Sequence, residues 1–255
     1  MNKNMHKFTI ASVAIAALVL AAAAPVSWAG NWNDNEPEEK IVALKDARLK
    51  IEMNATDGDA GIHVYADGDT WKSIDIYDPL GSMIFRATMR GRFAKQGGTE
   101  LFIESAEPNF SQLTLVEFLK RFPEGRYKFK GKGTEGETLV GTATLTHNLP
   151  AGPELVSPLE GGALVDLNNA VVTWKPVGPA NGSPIVGYQV AVVQSPSTIP
   201  AIPKIVLDVV LPATATSMIV PSVFLRPNTQ YSWQVLAIEA SGNQTLSSSF
   251  FQTAP

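Results

Sequence analysis

The chain contains no cysteine. Disulfide staples, thiolate metal centres and a lipid-bearing N-terminal cysteine are all excluded, so the folded protein must be held by its apolar core. Histidine is scarce, with three in 255 residues. His63 and His147 fall in different segments, and no HExxH pair is present to seed a zinc site. There is no G-x-S-x-G elbow and no Walker loop, which removes lipase-type and P-loop chemistry. Basic residues are in the minority, 20 against 24 acidic, for a formal net charge of −4. A nucleic-acid-binding protein needs a basic footprint, so nucleic acid is not a predicted partner. Only one long apolar run exists, at the N-terminus, so no membrane span is expected beyond it.

That run has the parts of a secretory signal. Lys3 and Lys7 give a positive start, Phe8 to Ala24 is apolar and alanine-rich, Pro25 breaks it, and Ser27-Trp28-Ala29 is a small-x-small cleavage site. The expected signal peptide is residues 1–29, with a retained anchor as the alternative. Its removal takes away Lys3 and Lys7 and moves the net charge from −4 to −6. An alanine-rich signal on a cysteine-free chain fits a bacterial exported protein. Residues 30–40, polar and acidic, read as a flexible leader.

From there the pattern is strand after strand. Leu49, Ile51 and Met53 alternate within 47–54. Further strands are expected at 61–65, 73–78, 83–89, 99–105, 126–132 and 138–146, with turns at Asp57-Gly58 and Asp67-Gly68. Leu115, Phe118, Leu119 and Phe122 fall at i, i+3, i+4 and i+7, a short amphipathic helix that Ser111 or Thr114 can cap. Leu149-Pro-Ala-Gly-Pro153 reads as a hinge, dividing domains at 41–149 and 150–255 into a close, semi-rigid tandem. The fold class predicted is all-β, two tandem β-sandwich domains, the first with one short helix.

Tyr231, Trp233, Val235 and Ala237 alternate with Ser232, Gln234 and Leu236 after a corner at Leu225 and Pro227. With Trp174 in Val172-Thr-Trp174 and Tyr188 in Gly187-Tyr188-Gln-Val190, residues 153–255 resemble the fibronectin type III family. The resemblance implies a core tryptophan at Trp174, and a tyrosine corner in which the Tyr231 phenol bonds back to nearby backbone. It also implies a spacer or binding module rather than an enzyme. The proline-rich run Ser195–Pro203 departs from the family pattern and either blunts an edge or displays a contact loop. The first domain looks like an immunoglobulin-like sandwich, and like the uncharacterised N-terminal module of some exported bacterial type III proteins.

Candidate sites lie in the first domain. Asn54, Asp57, Asp59, Asp67 and Asp69 are interspersed with glycines, oxygen ligands that could hold calcium if both turns meet at one end of the sandwich. The other reading is two solvated Asp-Gly turns. Trp71, at a turn-to-strand junction, either stacks on a sugar ring or caps the core. Glu100, Glu104 and Glu107 could pair as a hydrolase site only if brought within reach of one another. Arg126, Lys128, Lys130 and Lys132 form a basic stripe, facing an anionic partner or simply water. The function expected is a non-catalytic binding or structural display protein, secreted, periplasmic or at the cell envelope, with protein or glycan ligands. A carbohydrate-binding accessory module beside a hydrolase is the alternative, favoured by an exposed Trp71 next to Tyr65 or Tyr77.

Overall fold

The structure, a computed structural model, describes residues 39–194, 201–202 and 204–255. The expected signal peptide, all but the last two residues of the leader, and Ser195–Pro200 and Pro203 of the proline-rich run lie outside the described residues. The chain forms β1 Ile41–Ala43, β2 Asp46–Asn54, β3 Asp59–Tyr77, β4 Met83–Thr88, α1 Gly91–Gln96, β5 Gly98–Glu104, α2 Leu115–Arg121, β6 Gly125–Gly133 and β7 Thr138–Leu145. It continues with β8 Leu155–Ser157, β9 Val171–Trp174, β10 Ile185–Gln194, β11 Ile205–Pro212, β12 Ser217–Ile219, β13 Gln230–Glu239 and β14 Gln244–Gln252. The all-β tandem is present, with a second short helix, α1, that the sequence pattern does not announce.

The first module is organised by β3. Its first half pairs with β2 and β5, its second half with β4 and β6, and β7 and β1 extend the second group. Asp67-Gly-Asp69 is therefore not a turn between two strands. It is a bend inside one strand, marked by a register shift between Asp67 and Trp71 that lets β3 cross from one layer to the other. A Cβ on Gly68 would lie 2.7 Å from the Leu44 side chain, which would have to move aside. Ile51, Ile74, Ile76, Tyr127, Phe129, Leu139 and Trp71 fill the core between the layers. Helix α2 starts as expected at Thr114, whose hydroxyl accepts from the Glu117 N–H while Glu117 reaches back to the Thr114 N–H at 3.1 Å, a capping box.

Gly131, Gly133 and Gly136 have the spacing of a dinucleotide-binding loop, but they end β6 and enter the β6–β7 hairpin with no helix following, so the motif has no phosphate-binding context. The basic residues of β6 are exposed but do not guard an edge, because β6 lies between β3 and β7.

The second module packs the β14-β13-β10-β11 sheet on the β12-β9-β8 sheet. Trp174, Tyr188, Tyr231 and Trp233 are buried between them. The Trp233 indole donates to Pro158 O at 2.9 Å, and the Tyr188 hydroxyl accepts from Val177 N at 2.7 Å. The tyrosine corner forms: the Tyr231 hydroxyl accepts from Arg226 N at 2.8 Å. Tyr231→Phe should cost about 1–3 kcal/mol, because it leaves that N–H without an acceptor. Urea unfolding of the two proteins measures the difference, and equal midpoints would remove the corner's structural role.

The segment expected as a hinge is clamped. β2 and β14 pair in parallel at Glu52↔Gln244, Met53↔Thr245 and Asn54↔Leu246, joining both modules in one eleven-stranded sheet. The Thr245 hydroxyl donates to Pro150 O at 2.7 Å. At Gly152 a Cβ would fall 2.4 Å from that of Ala55, so glycine is required for the linker to lie against the seam.

Candidate functional site

The three strands β2, β3 and β5 present one face outward. Period-two alternation sends Leu49, Ile51, Ile62 and Val64 into the core and leaves the intervening residues outside. Strand register sets those residues in rows. Asp46, Asp67 and Glu100 form one, Arg48, Tyr65 and Phe102 the next, and Lys50, His63 and Glu104 the third, followed by Glu52 beside Gly61. The Arg48 guanidinium lies 4.6 Å from the Tyr65 ring centroid, a cation–π contact. Phe102 is 62% exposed and meets the His63 imidazole edge to face at 5.8 Å.

A cleft of about 590 Å³ opens along this face. Arg48, Lys50, His63, Tyr65 and Phe102 line one side, and Gln189, Ile238 and Gln244 of the second module line the other. It exists because β2 pairs with β14 only at residues 52–54, leaving its edge beyond that point without a strand among the described residues.

At the seam end the row closes into a cluster of titratable groups. The 105–110 segment folds along the start of β3, with Ser105 N donating to Ile62 O at 3.0 Å and Phe110 N to Gly58 O at 2.7 Å. This lays Glu107 over Gly61, where a Cβ would stand 2.7 Å from Glu107 Oε1. Ligand atoms of Glu52, His63 and Glu107 all lie within 4.8 Å of one another. His63 Nδ1 is 3.8 Å from Glu52 Oε2, and Nε2 is 3.9 Å from Glu104 Oε1. Burial, then repulsion from Asp59, Glu52 and Glu104, pushes the Glu107 carboxyl up to about 7. Burial lowers the His63 imidazole against the pull of Glu52. It also lowers the Lys50 ammonium and, together with nearby Asp57, raises Asp59.

The expected five-residue calcium site is not assembled. Asn54 pairs with Asp59 at one end of the β2–β3 ladder, and Asp67 pairs with Asp46 at the other, about 26 Å away at strand rise. Asn54 Oδ1 instead accepts from Thr56 N at 3.0 Å and Asp57 N at 3.1 Å, an Asx turn. Asp69 pairs with Lys45 at 3.1 Å. Trp71 is not a surface platform: it is 3% exposed, in the first core, with a Cβ on Gly98 placed 2.9 Å from its ring. The register slip in β3 turns it inward. The aromatic surface belongs to Tyr65 and Phe102, which sequence reasoning did not single out for that role together, although their alternation with core residues was visible. Of the three glutamates, Glu104 and Glu107 reach the His63 cluster, while Glu100 sits in the row with Asp67. His147 is structural, its Nε2 at 2.8 Å from Phe122 O.

A four-stranded sheet on a three-stranded one, with a tyrosine corner and buried core tryptophans, places the second module in the immunoglobulin-like class of β-sandwiches. Within that class, the fibronectin type III domain family model matches residues 164–253. No curated protein matches the sequence. Among solved structures, the chain is similar to domains FN1–FN3 of chicken CNTN1, at 16% identity and a TM-score of 0.32, over 85% of this chain and 68% of that one. It is also similar to a tetra-tandem repeat in the extending region of a large adhesion protein, at 14% identity and a TM-score of 0.27, over 82% of this chain and 49% of that one. A third is a 1.5-MDa bacterial ice-binding adhesin, at 13% identity and a TM-score of 0.26, over 84% and 66%.

Proposed function

We propose that this is an exported, non-catalytic binding or display protein that acts at the cell envelope or outside the cell through protein or glycan contacts. Its domains would run over 41–149 and 150–255 after removal of residues 1–29. The observation that carries the reading is the Arg48–Tyr65–Phe102 row, a cationic and aromatic strip with Arg48 and Phe102 exposed and Tyr65 half-buried, in a cleft between two modules that a shared sheet holds together. Aromatic faces beside a guanidinium give large contact area at low entropy cost. Export is supported by the signal-like N-terminus, and no helix among the described residues is long and apolar enough to cross a membrane. The accessory carbohydrate reading no longer has Trp71, and rests on Tyr65 and Phe102.

The test is a glycan array and a surface-protein array probed with the full chain and with Phe102→Ser. We expect a saturable ligand whose binding falls at least tenfold in the variant, since a central aromatic anchor contributes ~2 kcal/mol or more. A glycan hit selects the carbohydrate reading and a protein hit the adhesive one. Binding that is unchanged in Phe102→Ser would reject this face.

A further inference from the structure

We propose that Glu52, His63 and Glu107 form a binding site for a divalent transition-metal ion, placed at the seam between the two modules. Three elements converge there: β2, β3 and the segment that follows β5. Their ligand atoms lie within 4.8 Å of one another. Two ligands on one zinc ion stand at most ~4.2 Å apart, so small side-chain rotations bring all three onto a common ion.

An independent observation points to a ligand. His63 Nε2 is buried and has no hydrogen-bond partner among the described residues, and both ring nitrogens face carboxylates at 3.8 and 3.9 Å, too far for hydrogen bonds. A buried polar atom left unpaired is unfavourable, and a dication bound through Nε2 satisfies it while drawing in the carboxylates around the ring. The charge balance runs the same way. Glu52, Glu104 and Asp59 all stand close enough to Glu107 to repel its charge, while Lys50 lies near Glu52 and His63, a gathering of carboxyls whose negative charge a dication offsets. Gly61 makes the gathering possible, because any side chain there would displace Glu107.

The donor set decides the class of metal. One imidazole with carboxylates and no thiolate suits zinc, cobalt, nickel or manganese. Calcium takes six to eight oxygen ligands, and one imidazole with two carboxylates falls short of that set. The location gives the ion a structural consequence. Gln244 Nε2 donates to Glu52 Oε2, so an ion that fixes Glu52 also fixes the first residue pair of the β2–β14 seam.

The test is calorimetric titration of the chelator-stripped full chain with zinc chloride. One equivalent should bind. His63→Gln and Glu107→Gln should each weaken binding at least tenfold, and His147→Gln should leave it unchanged. A hundredfold excess of calcium should not displace the zinc. In the wild-type chain, zinc should shift the His63 imidazole resonances and not those of His147, a readout that requires no variant to fold. Absence of stoichiometric binding, survival of binding in both variants, equal binding of calcium, or unmoved His63 resonances would each overturn the proposal. The recognition role of the Arg48–Tyr65–Phe102 row would stand or fall separately, on the Phe102→Ser array result.

Discussion

Asn243→Ala is expected to uncouple the two modules and to lower stability by about 2–4 kcal/mol. Asn243 is 1% exposed, yet its side chain makes four hydrogen bonds across the seam. Its Oδ1 accepts from Ile51 N at 2.8 Å, taking the place of a strand on the open edge of β2. Its Nδ2 donates to Thr146 O at 2.8 Å, to Thr146 Oγ1 at 3.1 Å and to Asn148 O at 3.2 Å. Alanine strands an N–H and two carbonyls at a buried junction, and each such group costs ~1–3 kcal/mol when water cannot reach it. The sum is discounted because part of the seam can open to solvent. What remains across the seam is a three-residue parallel pairing and a few side-chain bonds such as Gln244 to Glu52 and Ser248 N to the Thr56 hydroxyl at 2.9 Å. A wild type that unfolds in one calorimetric transition should therefore give two in the variant. Tryptophan fluorescence assigns them, since Trp71 reports the first core and Trp174 and Trp233 the second. A single transition at an unchanged midpoint would show that the strand pairing alone joins the modules.

The second module was legible in the sequence because its determinants are local. Tyr231, Trp233, Val235 and Ala237 alternate without interruption, and the corner that precedes them sits within a few residues. In the first module the strands were legible but their connection was not. Ile62, Val64 and Ala66 keep one phase, and Ile74 and Ile76 resume it only after a slip. Asp67-Gly68-Asp69 sits at that slip, and a short polar run with glycine is equally suited to a hairpin or to a bend within a strand. Choosing the hairpin put the calcium ligands together and left Trp71 free to face outward. The actual cluster had no local signature. Glu52, His63 and Glu107 are neighbours through cross-strand register and the path of the 105–110 segment. The seam is less visible still, since β2 and β14 pair across nearly the whole chain.

Glu239 follows the same logic and carries the other large expected effect. As an acid at the end of β13, next to a Ser-Gly turn, it has the sequence context of a surface residue, but it is 0% exposed. Its carboxylate accepts from Ser183 Oγ at 2.6 Å, Ser241 N at 2.9 Å and Asn243 N at 3.1 Å, and from the Ser241 hydroxyl. Hydrogen bonds to an ionised acceptor are the strong ones, ~1.5–3 kcal/mol each. This group holds the turn that delivers Asn243 to the seam. Glu239→Ala removes the acceptor from two backbone N–H groups and two hydroxyls and leaves a cavity, for an expected loss of about 3–5 kcal/mol in urea unfolding. Glu239→Gln should lose less, because its amide oxygen still accepts while its NH₂ opposes donors, of which only the serine hydroxyls can turn away. The double variant Glu239→Ala/Asn243→Ala should lose less than the two single losses combined, since one residue positions the other. Strict additivity would mean that the turn is set by backbone alone and that the buried carboxylate serves only the second module.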